Sequence, residues 1–324
     1  MTPKHLLATT LICLTIGADS RPANAQDYPN RVIKLVMPFV PGSPVDAVGR
    51  VIMQHLQTRL GQSIVIENRP GAGTTTAAKA VGTAPPDGYT LLFIGPNLAY
   101  YPVLFPSVDF DPKSLAPVAT TVTWSHLYGV ASPLPVKTIA ELVAHAKASP
   151  GNLAFGYGLA TMPHIIGEIF HRAAGLDIIS VPYRGGEGAR ADLLGGRIHI
   201  NVAPVPQMLP LLRDDKMRAL AYTGGKRNPD LPDVPTMIES GFPQVGFHPD
   251  VWMAIFAPAG TPPAVVDKLN REINAVMQSA EIAPALKRFG YQTMIKTPAE
   301  FEAFHESELR RMPPILRAAG ITAQ

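Results

Sequence analysis

The sequence predicts an α/β protein in which short strands alternate with helices and the strands pair largely in parallel. From residue 31 onward, β-rich runs alternate with helical patterns, which is typical of βαβ units. The chain has 324 residues, of which 46% are hydrophobic, so it can bury more than one core. Its 34 prolines stand singly or in pairs at junctions and form no tracts. These features predict an ordered protein of about two domains.

Residues 1–25 have the features of a signal peptide and are set aside from the fold. Lys4 precedes an apolar run over residues 6–16, and residues 23–25 form an A-x-A cleavage site. The apolar run is too short to span a bilayer. Cys13 lies inside this run, whereas a lipid-anchoring cysteine should follow it, which argues against a lipoprotein. The segment therefore predicts export.

The composition argues against several kinds of partner. The net charge is +3 and the basic residues are scattered, so nucleic acid is not expected to bind. The single cysteine, Cys13, would leave with the signal peptide, which excludes disulfides and cysteine metal sites from the mature chain. No later apolar stretch approaches the 18 residues of a membrane span. We expect an exported monomer without a cofactor.

The first half of the chain gives three strands and two helices. The strands are predicted over residues 32–37, 63–67 and 89–94. Ser43 caps the first helix, with Pro44 at its first position and Asp46 completing a capping box. An apolar stripe at three- and four-residue spacing continues that helix to Leu60. Residues 71–74 open an alanine-rich helix that ends before residues 85–88.

The second half repeats the alternation. Thr138 and Glu141 form a capping box for a helix that ends at residues 150–151. A helix starts at residues 261–263 and runs to residue 277, and Thr297 caps a final long helix that residues 313–314 (Pro-Pro) should bend or break. Strands are predicted over residues 153–157, 178–181, 198–202, 219–222 and 251–256, and a polar loop over 226–235.

Enzyme motifs are absent from the sequence. It contains no G-x-S-x-G, H-E-x-x-H or Walker motif. His164, Glu168 and His171 share one helical face, but no fourth ligand stands out, so we expect no metal. Residues 156–161 resemble a dinucleotide fingerprint with Thr161 in place of its last glycine. A secreted enzyme using His164, Tyr183 and Arg184 remains a minor alternative, because nothing orients a nucleophile.

Four strand-to-helix turns are suited to bind anions. They lie at residues 39–44, 95–97, 156–161 and 183–186. In open α/β sheets, ligands bind beyond the carboxyl ends of the strands, where helix N-termini offer backbone N–H groups. Each turn alone is more often ordinary turn chemistry. Together they favour a shared cleft for a small acid.

Taken in order, these residues resemble a known family. The matching segments are YPNR at residues 28–31, ENRPGAG at 67–73, PDGYTLL at 86–92, VPYRG at 181–185, DLLGG at 192–196, LPDVPT at 231–236 and FAPAGT at 256–261. They are similar to the extracytoplasmic solute receptors of tripartite tricarboxylate transporters, the Bug family. The resemblance implies a two-lobed, type II periplasmic binding-protein fold that closes on a small carboxylate. Each lobe would be a mixed, mostly parallel sheet flanked by helices, with two crossover strands as the hinge.

The resemblance also implies lobe boundaries and ligand contacts. Residues 26–123 plus 250–324 would form one lobe and 124–249 the other, with membrane subunits of the transporter as partners. Backbone amides and waters at residues 39–46 and 157–164 would hold the carboxylate. Residues 42–44 and 201–205 depart from the family pattern, which leaves the ligand open, and the liganded receptor could instead dock on a signalling protein. The candidate ligand contacts are Phe39, Pro41, Gly42, Ser43, Asp46, Asn97, Tyr157, Gly158, Thr161, His164, Tyr183, Arg184 and Pro204.

Overall fold

A computed structural model of the chain describes residues 28–158, 161–183, 186–245 and 251–321. The predicted signal peptide therefore lies outside the described residues, as do Arg184 and the predicted crossing at residues 249–250.

Within the described residues, strands and helices alternate along most of the chain, as the sequence predicts, although strand His126–Ala131 directly follows strand Leu115–Trp124. The strands are β1 (Ile33–Met37), β2 (Ile64–Asn68), β3 (Thr90–Ile94), β4 (Leu115–Trp124), β5 (His126–Ala131), β6 (Ala154–Gly158), β7 (Ile179–Tyr183), β8 (Ile200–Pro204), β9 (Met217–Tyr222), β10 (Val251–Pro258) and β11 (Gln292–Thr293). The helices are α1 (Pro44–Leu60), α2 (Thr75–Gly82), α3 (Asn97–Leu104), α4 (Ile139–Ala148), α5 (Met162–Ala174), α6 (Gly186–Leu194), α7 (Val205–Arg213), α8 (Pro263–Gln278), α9 (Ala283–Phe289) and α10 (Pro298–Ala318).

The strands form two mixed sheets. The first has the order β11-β4-β10-β3-β1-β2 and the second has the order β7-β6-β8-β5-β9. In the first sheet β1 pairs in parallel with β2 and β3, and Leu35 lies opposite both Ile66 and Leu91. In the second sheet β6 pairs in parallel with β7 and β8. The pairings of β10 with β3 and β4, and of β5 with β8 and β9, are antiparallel.

The chain passes from one sheet to the other over a single residue. Strand β4 of the first sheet ends at Trp124, and β5 of the second sheet begins at His126. This passage lies next to the predicted hinge at residues 123–124. The sequence analysis missed both strands. It predicted the strand-to-helix turn at residues 95–97, where α3 begins, but not the extent of that helix, whose interior holds Pro102.

Helices cover the faces of both sheets and close separate cores. Met37, Ile52 and Leu269 belong to a buried cluster between the first sheet and α1 and α8. The opposite face packs against α2, α3 and the first half of α10, with Phe301 fully buried. The main cluster of the second sheet contains residues of α5, and the last part of α10 also joins it through Leu316. Helix α10 therefore contacts the layers of both sheets.

Helix starts follow the predicted capping residues, with differences in detail. Thr297 and Glu300 make a reciprocal capping box at α10. At α1 the Ser43 hydroxyl accepts the Asp46 N–H, but the Asp46 carboxylate accepts the Gly42 N–H and not the capping residue's own. Residues 313–314 were predicted to bend or break the final helix; they do not break it, because α10 continues through both prolines to Ala318.

Candidate ligand-binding site

A cavity of about 240 Å³ lies where the two sheets meet. On the side of the first sheet it is lined by the loop after β1, the first turns of α1 and α3, and strand β10. The residues that supply this wall are Phe39, Val45, Pro96, Asn97, Tyr100, Val251 and Met253. The cavity is smaller than a typical drug-sized pocket, which suits a small metabolite.

The opposite wall comes from the second sheet. His126 is the first residue of β5, and Pro204 is the last residue of β8. Thr161, Met162 and Pro163 belong to the beginning of α5. Trp124, at the end of β4, completes the lining where the chain passes between the sheets.

Four helices begin at this cavity. The first turns of α1 and α3 line it from one side through Val45 and Asn97. From the other side it is lined by Met162 in the first turn of α5 and by Pro204, the residue that directly precedes α7. The first N–H groups of a helix have no intrahelical acceptor, and the helix dipole makes this end positive. The convergence of four such ends gives a site for an anion without any cationic side chain.

At the beginnings of α1 and α5, only some of the backbone N–H groups are free to bind a ligand. In α1, Pro44 has no N–H, and the N–H of Asp46 donates to the Ser43 hydroxyl over 3.3 Å. The Val45 N–H is then the first-turn donor of α1 at the wall it lines. In α5, Pro163 has no N–H. The first-turn donors of this helix are therefore the N–H groups of Met162 and His164.

The walls meet at a buried contact between the two halves. The Tyr100 hydroxyl of α3 lies 3.0 Å from the Met162 sulfur of α5. Both side chains are more than nine-tenths buried. This contact places the beginnings of two opposing helices next to each other across the cavity.

Asp46 supports the loop after β1 and does not line the cavity. It is 1% exposed, and its carboxylate accepts hydrogen bonds from Gly42 N at 2.9 Å, Arg50 Nε at 2.8 Å and Asn68 Nδ2 at 2.7 Å. Burial alone would raise the pKa of Asp46, but the bonds from Arg50, Gly42 and Asn68 hold that pKa below its usual value. Asn68 also donates to the Phe39 carbonyl, so the network fixes the loop that carries Phe39.

Thr161 lines the cavity, but its hydroxyl already has an acceptor. The hydroxyl donates to the Gly158 carbonyl over 2.6 Å and makes no capping bond to α5. Because a hydroxyl has one proton to donate, Thr161 in this conformation orders the turn after β6 and leaves the α5 amides uncapped by its side chain.

Tyr157 and His164 form a stacked pair beside that turn. Their ring centroids are 4.1 Å apart with an interplanar angle of 5°. His164 is 7% exposed, and its Nδ1 has no hydrogen-bond partner within the described part of the chain. Burial lowers the pKa of His164, so its ring is neutral at pH 7. Neither ring lines the cavity.

The remaining sequence candidates do not converge on one site. The Tyr183 hydroxyl donates to Asp192 over 2.6 Å, and burial together with this bond raises the pKa of Tyr183 to about 12. His171 Nε2 bonds to the Tyr128 hydroxyl, and Glu168 accepts from Ser180. No cluster of potential metal ligands occurs among the described residues.

Four predicted ligand contacts therefore lie on the cavity wall, namely Phe39, Asn97, Thr161 and Pro204. Pro41, Gly42 and Ser43 belong to the loop next to it, and Gly158 ends β6 on the opposite side. Sequence reasoning missed the rings of Tyr100, Trp124 and His126 and the thioethers of Met162 and Met253. Apolar residues inside strands and helices carry no signal that distinguishes a cavity wall from a core.

Comparisons with known proteins agree with this architecture. Residues 48–321 match the family model described as tripartite tricarboxylate transporter family receptor. Protein BugT of Bordetella pertussis is 34% identical over 99% of both chains. A Bordetella bronchiseptica protein is 35% identical over 86% of this chain and 81% of its own length. Within the described residues, no helix has the length and apolar character of a membrane span.

Solved structures share the fold. A Rhodopseudomonas palustris protein solved with adipate has a TM-score of 0.78 and 32% identity, and covers 92% of this chain and 100% of its own. MatC of the same organism, solved with bound malate, has a TM-score of 0.74 and 29% identity, and covers 89% and 100%. The periplasmic binding protein BugD has a TM-score of 0.75 and 28% identity, and covers 92% and 100%. The resemblance inferred from the sequence and the two-lobed fold are confirmed, and the chain belongs to the tripartite tricarboxylate transporter family of solute-binding receptors.

Proposed function

We propose that this receptor captures a small carboxylate in the cavity between its two sheets and delivers it to the membrane subunits of a tripartite tricarboxylate-type transporter. The lobes would be residues 26–123 plus 250–324 and residues 124–249, after export and removal of residues 1–25. Closure of the lobes would present the loaded receptor to the membrane partner. No catalytic step is part of this proposal.

The observation that carries the proposal is the convergence of four helix beginnings on one small cavity. A carboxylate matches this arrangement, because its two oxygens can each accept backbone N–H groups from helices of opposite lobes. Binding would then link the lobes through the ligand itself. The adipate and malate bound to the two Rhodopseudomonas palustris relatives support a carboxylate ligand here.

A screen of small acids tests capture. Mono- and dicarboxylates, hydroxy acids, aromatic acids and amino acids are added in a thermal-shift assay, and every hit is measured by calorimetry. The proposal expects at least one acid to bind below millimolar. If no carboxylate raises the melting temperature or binds in that range, the receptor function proposed here is wrong.

A steric variant tests the location of the site. Val45 lies on the cavity wall in the first turn of α1, so Val45→Trp should fill the cavity and abolish binding. Val65→Trp is the matched control, because Val65 is 54% exposed on β2. It should bind as wild type does. Delivery is tested by uptake of the labelled acid into cells that lack the receptor, with wild type restoring uptake and Val45→Trp failing to do so.

A further inference from the structure

We infer that Trp124 provides a flat aromatic surface on which the carbon frame of the ligand stacks, and that the receptor thereby selects acids with a planar, unsaturated frame over saturated acids of the same size. The inference rests on the proposed function, because it takes the cavity as the ligand site. It goes further by naming a residue that determines specificity and the class of carbon frame that this residue favours.

Trp124 lies where the chain passes between the two sheets. It is the last residue of β4 and pairs with Val251 of β10, which also lines the cavity. Its half-buried side chain packs against the main buried clusters of both sheets. Part of the side chain is therefore anchored in the two cores, while its remaining surface borders the cavity.

Two further rings hold the Trp124 ring in place. The ring centroids of Trp124 and Tyr291 are 4.9 Å apart with an interplanar angle of 45°, and Tyr291 stacks on Phe289 at 6.0 Å and 26°. Tyr291 is 8% exposed, so this support is buried. A ring with fixed neighbours loses little conformational entropy when a ligand stacks on it, which favours binding.

The segment that carries Tyr291 is itself fixed by a contact between helices of the two sheets. Gly290 follows α9 in the left-handed conformation, with a φ of 69°. Pro206 of α7 lies against Gly290 and leaves no room for a Cβ there. Helix α7 directly follows Pro204 of the opposite cavity wall. The position of Tyr291, and with it the support of Trp124, therefore depends on how α7 packs against this segment.

The wall also carries four polar side chains, namely Asn97, Tyr100, Thr161 and His126. Their amide, hydroxyl and imidazole groups, together with waters bound to them, can meet polar substituents of a ligand, including a second carboxylate. The inference therefore concerns the shape of the carbon frame and not the number of its carboxylates.

Stacking separates the two classes of carbon frame. A planar π system lies flat on an indole ring and gains about two- to ten-fold in affinity beyond the burial of its area. A saturated frame has no π face, so it gains only the burial of its area. The thioether side chains of Met162 and Met253 are flexible and fit either kind of frame, so they do not oppose this preference.

Calorimetry on matched pairs of acids tests the preference in the wild-type protein. The pairs are benzoate and cyclohexanecarboxylate, sorbate and hexanoate, and fumarate and succinate. The two acids of each pair share their carbon frame and their number of carboxylates and differ in unsaturation. We expect the unsaturated acid of at least one pair to bind about two- to ten-fold more tightly than its saturated partner.

Equal or tighter binding of the saturated acid in every pair that binds would overturn the inference while leaving the proposed function intact. If no pair binds, the tightest-binding acid of the wider screen decides. An unsaturated acid supports the inference, and a saturated acid overturns it. A complete absence of binding overturns the proposed function instead.

Variants assign the preference to Trp124. Trp124→Leu should bind the saturated acid within about two-fold of wild type and lose the preference for the unsaturated acid. Phe110→Leu is the control, because it removes a half-buried ring outside the cavity wall, and it should keep the preference. A preference that survives in Trp124→Leu would overturn the inference, and its loss in Phe39→Leu would then assign the stacking to Phe39.

Fluorescence tests the support that Tyr291 gives to Trp124. The chain has two tryptophans, and Trp252 is 1% exposed and lies outside the cavity wall, so Trp252→Phe leaves Trp124 as the only tryptophan. In this background an unsaturated acid should change the emission of Trp124. Tyr291→Leu should reduce both this change and the preference, whereas Tyr291→Phe, which keeps the ring, should retain both. Binding without any change in emission would overturn the stacking of the ligand on Trp124.

Discussion

Two buried histidines differ in whether their ring nitrogens have partners. His305 on α10 is 4% exposed among the rings of Trp252, Phe256 and Phe301, and neither of its nitrogens has a hydrogen-bond partner in the described structure. His171 on α5 is 5% exposed and bonds to the Tyr128 hydroxyl over 2.8 Å. Burial lowers the pKa of His305 to about 4 and that of His171 to about 3.

Replacing each of these two histidines by leucine should change the free energy of unfolding in opposite directions at neutral pH. His305→Leu removes an unsatisfied polar group and should raise the free energy of unfolding by about 1 kcal/mol, whereas His171→Leu leaves the Tyr128 hydroxyl unpaired and should lower it by about 1–3 kcal/mol. Urea unfolding at pH 8 measures both. A loss of stability in His305→Leu would contradict the assignment of its ring as unpartnered.

The same histidines set the acid limit of stability. An unfolded histidine takes up a proton near pH 6.5, whereas the folded rings resist protonation until about pH 4 and pH 3. Stability is therefore fully present above about pH 6.5 and is lost as the pH falls through this window, by up to about 1.4 kcal/mol per pH unit for each histidine. Each leucine variant should take up one proton fewer on unfolding in this pH window, so its free energy of unfolding should fall less steeply with decreasing pH. An unchanged slope in both variants would contradict the account.

For single residues, the sequence predicted which side chains stand at helix beginnings better than it predicted their hydrogen bonds. Ser43 and Thr161 were placed correctly at helix beginnings, because short hydroxyl residues before apolar stripes mark them. The hydrogen bonds of the Asp46 carboxylate depend on a neighbour remote in sequence. Asn68 is 22 residues from Asp46, and it is their bond that makes Asp46 a support of the loop.

Among the elements, α10 contains two prolines where a helix normally avoids them. Pro313 and Pro314 remove the N–H groups that would bond to the carbonyls of Leu309 and Arg310. Pro298, at the first position of the same helix, removes an N–H that has no intrahelical acceptor.

Alanine substitutions should separate these two positions. Pro314 is exposed, so Pro314→Ala loses little packing and restores a donor, and it should raise the free energy of unfolding by about 1–3 kcal/mol. Pro298→Ala, the control, should be neutral or destabilising by up to about 1 kcal/mol, since proline at that position restricts the unfolded chain. Thermal or urea unfolding measures both. Equal effects at the two positions would contradict this explanation.

Element boundaries were predictable where the local signals agreed. Helices α1 and α8 begin and end within a residue or two of the predicted positions, because a proline and an apolar stripe coincide in both, and Ser43 also caps α1. Strand β4 was missed although its second half is rich in β-branched residues, since Pro117 and its threonines interrupt an apolar run. The beginning of α3 was predicted at residues 95–97 but its extent was not, because Pro102 interrupts its pattern.

For the whole molecule, the two sheets are joined by more than the passage at Ser125. The last part of α10 belongs to the main cluster of the second sheet, while its first part packs on the first. Tyr100 and Met162 contact each other across the cavity. These contacts depend on residues distant in the chain, which explains why the sequence predicted two lobes and the beginnings of α1, α3 and α5 at the cavity, but neither the beginning of α7 there nor the composition of the wall.

The most direct test of capture between the lobes is a crystal structure with the tightest-binding acid from the screen. We predict that the carboxylate lies within about 3.2 Å of main-chain N–H groups at the beginnings of α1 and α5, with the rest of the ligand between Phe39 and Trp124. An acid bound outside this cavity, or one held by a cationic side chain with the helix beginnings unoccupied, would contradict the account.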